Sequence, residues 1–526
     1  MINLLLLVVT ASAQPFVIEW QNCLGAPNSE DRPYDICATA DGYLITGANS
    51  ATGYMDNVLL IKTDFEGNAV WQKSIGGTSG EIGFRIFSSM DGNYFINAIS
   101  SSSDGDISND PYPNTADYWV VKINGNGDIL WERIYGGNCR EDGWDGGVPT
   151  SDGGIVQWGY TCSDDGDISN YIGTWDAWML KLDNEGNKVW DFTIGTEDFD
   201  YPSGIIETSD HGFLLATQST PTTGGNIDCI PYNENAEIVL LKLDSVANIE
   251  WQQCYGGSDH EGLKSVLELQ DGYLLACTAY SNDGDILGSG YHIGFDNAGY
   301  PTADIWLIKI DFTGNIIWSR CFGGSQRDVP RCILPGYGGG FVVFGMAESF
   351  DGDVVGNNSS GPGYSDIWVI KVNETGDLIW QQCFGRNGDE RLESGVVDNG
   401  DGSYVIASEI RGYNSGQVTC QTNFYDSEIW FLKIRDTTVV NTINYEMPDF
   451  SLKIYPNPAK EYVIFESQNK TTGVISVTDI YGRPVAEVPV NSEKTVWDLR
   501  GVLPGVYLYK GDMNKTTSSG KILIMR

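Results

Sequence analysis

Residues 366–385 read DIWVIKVNETGDLIWQQCFG. Two short runs of apolar, β-branched and aromatic residues flank Glu374-Thr375-Gly376-Asp377, in which glycine supplies the positive φ of a tight turn. The stretch is a β-hairpin. Upstream, RCILPG (331–336), the turn YGGG and FVVFGMA (341–347) add two more strands, and ESFDGDVVGNNSSGPGYS (348–365) is a long loop before the hairpin. Four short strands with glycine-marked turns and no helical period predict one antiparallel sheet.

The unit recurs. Trp20, Trp71, Trp131, Trp190, Trp251, Trp318 and Trp380 mark seven copies, spaced by about sixty residues, a period that signals a repeat architecture. Most continue as in WQKSIGG (71–77) or WSRCFGG (318–324). The third strand repeats an aromatic position, held by Trp119, Trp178, Trp306, Trp368 and Trp430, with Leu59 and Val239 as exceptions. Three residues on comes a lysine: Lys62, Lys122, Lys181, Lys242, Lys309, Lys371 or Lys433. The tryptophans are expected to pack between sheets, and the lysines to pair with a local carboxylate or carbonyl.

The expected fold is all-β, a seven-bladed β-propeller of four-stranded blades over residues 14–434. Trp20 has no third strand before it, and the last third strand, EIWFLKI (428–434), has no Trp strand after it. Residues 16–24 should therefore complete blade 7 and close the ring, which leaves no open edge there.

The 526 residues carry a formal charge of −40, which argues against nucleic acid and anionic membrane as partners. Leu4–Val9 is too short to span a bilayer, and residues 1–13 read as a signal peptide cleaved between Ala13 and Gln14. No other segment is long and apolar enough to be transmembrane. Export permits disulfides. Of eleven cysteines, Cys23, Cys254, Cys321 and Cys383 share one repeat position, with Cys37 and Cys332 on the following strands. Cys23–Cys37 and Cys321–Cys332 are candidate staples between blades; small buried hydrophobes are the equal alternative.

Strands alternate in direction, so the long loops between second and third strands share a face with the loops between blades. Four of the long loops carry Asp104-Gly105-Asp106, Asp164-Asp165-Gly166-Asp167, Asp283-Gly284-Asp285 or Asp351-Gly352-Asp353. Oxygen-rich loops at this spacing suit calcium, although none matches the twelve-residue calcium pattern; the fixed repeat position favours Asp turns that accept backbone amides. The loops between blades add Glu30, Asp31, Glu81, Glu141, Asp142, Asp198, Asp200, Asp259, Glu261, Asp328, Asp389 and Glu390, so one rim should be crowded with carboxylates. Three histidines, no HExxH and no GxSxG leave the catalytic residues unassigned. Carboxylate pairs can serve glycoside cleavage, which keeps a polysaccharide hydrolase or lyase as the alternative to a binding protein for glycan or protein ligands; a structural surface component is a third reading. Tyr112, Trp144, Tyr171, Trp175, Tyr291 and Tyr364 are candidates for stacking on sugars or for covering their own loops.

Residues 435–448 read as a linker, and 449–526 as a small β-sandwich with a different pattern. The motifs are Tyr455-Pro456-Asn457-Pro458, Asp479-Ile480-Tyr481-Gly482, Asp498-Leu499 with Leu503-Pro504-Gly505-Val506-Tyr507, and Gly520-Lys521-Ile522-Leu523-Ile524. This stretch resembles the type A C-terminal sorting domain of the type IX secretion system. The resemblance implies a Gram-negative bacterium of the Bacteroidetes type and partners in the secretion machinery and its sortase-like peptidase. It also implies a mature protein anchored at the outer-membrane surface or released, once signal peptide and sorting domain are removed. The propeller repeats are similar to those that often precede such domains, which brings no established activity.

Overall fold

A computed structural model describes residues 15–525 except 27–28, 52–55, 144–145, 220–224, 230–236, 362, 413–415, 421–426, 439–451, 458, 467–472, 480–482 and 514–515. The signal peptide with Ala13 and Gln14, most of the linker, Trp144, Pro458 and Gly482 therefore lie outside the described residues. The chain divides into two units, Met1–Val439 and Val440–Arg526.

Seven antiparallel sheets make up the described part of the first unit. Blade 1 is typical, with strands Ser29–Thr39, Gly42–Ala51, Asn57–Thr63 and Ala69–Ile75 in that order. Blades 2, 4, 5 and 6 repeat it, starting at Glu81, Asp200, Glu261 and Asp328. In blade 3 the first strand is split into Glu141–Asp142 and Val148–Pro149. Blade 7 takes three positions from residues 388–436 and its fourth strand, Phe16–Leu24, from the other end of the unit. That strand pairs antiparallel with Glu428–Asp436, Phe16 opposite Asp436 and Cys23 opposite Trp430. Each sheet packs on the next, and the first strand of blade 1 packs on blade 7, so the ring closes as a β-propeller.

The core has no single centre. Each apolar cluster lies between two neighbouring sheets, as where Leu44, Val58 and Leu60 of blade 1 meet Ile86, Ile96 and Trp119 of blade 2. A sheet that is apolar on both faces needs a neighbour on both, which radial stacking supplies. The marker tryptophans sit on the outer strand and reach across the seam. A β-carbon on Gly127 of blade 2 would stand 2.6 Å from the Trp71 ring of blade 1, and one on Gly67 of blade 1 would stand 2.5 Å from Trp20 of blade 7. The turn glycine thus serves both its positive φ and the indole of the preceding blade.

The repeated polar residues have repeated partners. Lys62, Lys122, Lys181, Lys242 and Lys309 bond Asp41, Asp91, Asp152, Asp210 and Asp271 of the first turn at 2.6–2.9 Å. Blade 6 has no aspartate in that turn, and Lys371 bonds Asp436 of blade 7 and the Tyr337 carbonyl, both at 2.7 Å. Lys433 bonds Glu19 at 3.1 Å. The third-strand indoles donate to the residue after the marker tryptophan: Trp119 to Glu132, Trp178 to Asp191, Trp368 to Gln381 and Trp430 to Gln21. In blade 5 that residue is Ser319, too short to reach, and the buried Trp306 Nε1 has no partner. Ser319→Gln is expected to raise stability by about 1 kcal/mol, read as a shifted unfolding midpoint.

The cysteines correct the expected staples. Cys23 pairs with Cys420, Cys139 with Cys162, and Cys229 with Cys254, while Cys37, Cys321 and Cys332 are free. A fourth-strand cysteine faces the long loop of its own blade rather than the next blade's first strand. In blade 5 the loop offers Ser289 instead, whose Oγ lies 3.0 Å from Cys321 Sγ.

The second unit has a sheet of three strands, Lys453–Tyr455, Tyr462–Glu466 and Lys494–Asp498, and one of four, Pro484–Val490, Gly473–Asp479, Gly505–Met513 and Thr516–Ile524. Val463, Phe465 and Trp497 from the first share a core with Ile475, Val477 and Ile522 from the second, as in a β-sandwich.

Candidate functional site

The Asp-Gly-Asp loops fold onto the corner that follows the fourth strand of the preceding blade. Asp104 and Asp106 accept the amides of Thr78 and Gly76 at 2.8 and 3.0 Å. Asp165 and Asp167 accept those of Asn138 and Gly136 at 2.9 and 3.1 Å. Asp283 and Asp285 take Ser258 and Gly256 at 2.7 and 3.2 Å, and Asp351 and Asp353 take Ser325 and Gly323 at 2.7 and 3.4 Å. The glycine between them has positive φ, and a β-carbon on Gly105 would lie 2.3 Å from the Gly76 carbonyl oxygen. Asp164 stands exposed beside its clasp. The calcium expectation rested on these carboxylates. Among the described residues, no group of three or more His, Cys, Asp or Glu is placed to hold a metal ion.

The crowded rim is also reorganised. Asp31, Glu81, Glu141, Asp142, Asp200, Glu261, Asp328 and Glu390 are buried, drawn into the seams between blades rather than displayed to solvent. Glu81, Glu141, Asp200, Glu261 and Asp328 each open a blade's first strand, a readable signal that composition alone presents as surface charge.

What differs between blades is the better guide to function. At the seam of blades 3 and 4, the loop face carries a cluster of four aromatic rings. Tyr160 ends a second strand, Trp175 precedes a third, and Phe199 and Tyr201 frame the start of blade 4. Tyr160 packs edge-on to Trp175 at 4.9 Å and to Tyr201 at 6.4 Å, and the Phe199 and Tyr201 rings are parallel to within 9°. Phe199 is 38% and Tyr201 49% exposed. Beside them Asp142 pairs with Arg140 and accepts the Tyr160 hydroxyl at 3.1 Å, while its Oδ1 is buried without a partner. Burial and the Asp142 charge hold the Tyr160 hydroxyl neutral by raising its pKa. The Cys139–Cys162 disulfide braces the strand end that carries Arg140 and Asp142. Of the other candidate aromatics, Tyr291 donates its hydroxyl to the Thr302 carbonyl at 2.7 Å and Tyr112 packs into the apolar core, so both serve the fold; Tyr171 donates to the Thr174 carbonyl, and Tyr364 is exposed.

In the second unit the motifs are joints. Asn457 Nδ2 donates to the Lys521 carbonyl at 2.9 Å and its Oδ1 accepts the Leu523 amide at 2.8 Å, so the side chain acts as a strand partner for the terminal strand. The Tyr455–Pro456 bond is cis, and the Tyr455 hydroxyl donates to Glu466 at 2.7 Å. Asp479 accepts the Arg483 amide across its turn at 3.0 Å. The Leu499 amide donates to the Glu461 carbonyl at 3.0 Å, and the Tyr507 hydroxyl reaches back over Pro504 and Gly505 to the Leu503 carbonyl at 2.7 Å. Residues 453–525 match the family described as the secretion system C-terminal sorting domain.

This unit is a type IX secretion sorting domain.

The protein is therefore directed to the cell surface or secreted, and its sorting domain engages the type IX machinery. No helix among the described residues is long and apolar enough to cross a membrane. Beyond the sorting domain similarity is weak. The regulatory protein FlaEY of Caulobacter vibrioides is 25% identical over 224 residues, 42% of this chain and 23% of that protein, so the match spans under a quarter of that relative. Drosophila Plexin A in complex with Semaphorin 1b is 8% identical with a TM-score of 0.40, covering 79% of this chain and 86% of that one. PorZ, a surface component of the type IX system of Porphyromonas gingivalis, is 10% identical with a TM-score of 0.14, covering 96% and 100%. The propeller rests on the sheet order and registers described above.

Proposed function

We propose that the propeller is a binding module for extracellular glycan, displayed or released by its sorting domain, with the seam of blades 3 and 4 as its contact surface. The observation that carries this reading is the exposed Phe199–Tyr201 pair beside Arg140 and Asp142. Flat aromatic faces cover the apolar side of a sugar ring, while the half-exposed Arg140 guanidinium, held by the buried Asp142, addresses its hydroxyls. The seam carboxylates are closed to substrate by burial, which favours binding over glycoside cleavage. The reading gives calcium no step.

Binding of the full exported chain to a glycan array tests it. Tyr201→Ala and Trp175→Ala are each expected to weaken capture about tenfold, equivalent to about 1.4 kcal/mol. Tyr300→Ala, exposed on the blade 5 loop, should leave it unchanged. An array without hits, or equal binding by Tyr201→Ala, would end the proposal. Turnover of a polysaccharide would favour the hydrolase or lyase reading instead.

A further inference from the structure

At each of six seams, the first residue of a third strand meets an acid of the next blade's first strand, the residue that opens the strand in five blades and its third residue in blade 7. The pairs are Asn57–Glu81, Asp117–Glu141, Asp176–Asp200, Glu237–Glu261, Asp304–Asp328 and Asp366–Glu390, each turned onto one glycine. At Gly136 a β-carbon would stand 2.1 Å from Asp117 Oδ1 and 2.4 Å from Glu141 Oε2, so the glycine makes room for both carboxylates. Glu141 Oε1 accepts from Thr161 Oγ at 2.7 Å, and Oε2 from the Gly137 amide at 3.0 Å. Asp117 Oδ2 accepts from Thr115 Oγ at 2.7 Å. Asp117 Oδ1 is buried with no donor of its own, and the two acids are in hydrogen-bonding contact.

Two carboxylate oxygens at hydrogen-bonding distance need a proton between them. The seam of blades 1 and 2 makes the same point from the other side. There Asn57 stands where the other five pairs place an acid, its Oδ1 turned onto Gly76 beside Glu81 Oε2, and a neutral amide at this place adds no second negative charge to the seam. We propose that the seam of blades 2 and 3 is closed by a proton shared between Asp117 and Glu141, so that the ring is stabilised there by mild acid and this seam loosens as the pH rises.

Burial and the facing acid push Asp117 up to about 9, and burial raises Glu141. Glu390 is raised to about 9, Glu261 and Asp328 to about 7, and Asp200 and Asp366 to about 6, with burial the largest cause each time. The groups around the Asp117–Glu141 pair are Asp110 and Tyr112 on its loop, Tyr118 on its strand, and the Arg140–Asp142 ion pair on the next blade. Asp110 adds repulsion, and both tyrosines stay neutral because burial raises them. A carboxyl whose folded value lies above its unfolded value of about 4 contributes fully below that pH, and its contribution is lost as the pH rises through the folded value. The window here runs from about pH 4 to about pH 9. The lysine partners Asp41, Asp91 and Asp152 are lowered, so their own losses fall below it.

Chemical unfolding of the full chain at about pH 5.5 and about pH 8.5 tests the proposal. Wild type is expected to lose stability on going to the higher pH. Asp117→Asn, which gives this seam the amide of the first one, should shrink that loss at least tenfold in the unfolding equilibrium, tenfold being one pK unit. Asn57→Asp should enlarge it by a comparable factor, and decides alone if Asp117→Asn does not fold. A pH slope unchanged in Asn57→Asp overturns the proposal. So does a wild-type loss abolished by calcium and restored by chelator, which would put a cation where the proton is placed.

Discussion

Asn457→Ala is expected to hold most of the protein back from the cell surface. The Asn457 side chain makes two hydrogen bonds to the terminal strand, to the Lys521 carbonyl and from the Leu523 amide. Its neighbour Ala459 extends the same joint, donating to the Leu523 carbonyl and accepting from the Met525 amide, both at 2.7 Å. Alanine would remove both bonds at about 1 kcal/mol each, roughly 2 kcal/mol in total. A sandwich of this size has only a few kcal/mol to lose. The check is the ratio of surface to periplasmic protein by fractionation, beside a chain lacking residues 449–526, which should remain inside entirely. Normal display of the truncated chain would remove the sorting domain from the export step. Normal display of Asn457→Ala alone would show that the terminal strand needs no clamp.

Phe16→Ala is expected to cost the propeller about 3–5 kcal/mol, the range for deleting a fully buried phenylalanine. Phe16 is fully buried, although only nine residues of the N-terminal end enter the sheet. Its ring lies 4.5 Å from Trp380, 6.0 Å from Tyr404 and 6.3 Å from Phe384, and its amide donates to Gln382 at 3.0 Å. It thus packs on blade 6 while its strand completes blade 7. The change both opens a cavity and weakens the strand that covers an edge. Chemical unfolding midpoint and protease resistance read the effect, with Val17→Ala as control, since Val17 is 42% exposed. Equal losses in the two variants would mean that ring closure does not depend on this anchor.

The repeat itself was legible. The marker tryptophans, the glycine turns and the third-strand lysines recur in sequence because each blade solves the same local problem. The missing fourth strand of blade 7 could be found by counting. The lysine partners followed in five blades, but Lys371 takes Asp436 from the next blade because its own turn, Tyr337-Gly338, offers no carboxylate. Cysteine pairing was not legible: Cys23 and Cys420 lie 397 residues apart and meet only because the ring closes. The acids of the inter-blade loops read as a charged rim, yet Glu141 and Asp328 are buried. Their side chains follow the strand register, and sequence spacing does not say which face of a loop looks into the seam.

By itself the sequence determined the blade unit, the closing strand and the export signal in the last residues. Each is written in periodicity or in a contiguous motif. Tertiary structure alone decided that Asp104 and Asp106 clasp amides, that Asp117 meets Glu141, and that Tyr160, Trp175, Phe199 and Tyr201 form one surface. These residues belong to different strands and blades. Their meeting depends on how the sheets stack around the ring, and a local pattern carries no record of that distance.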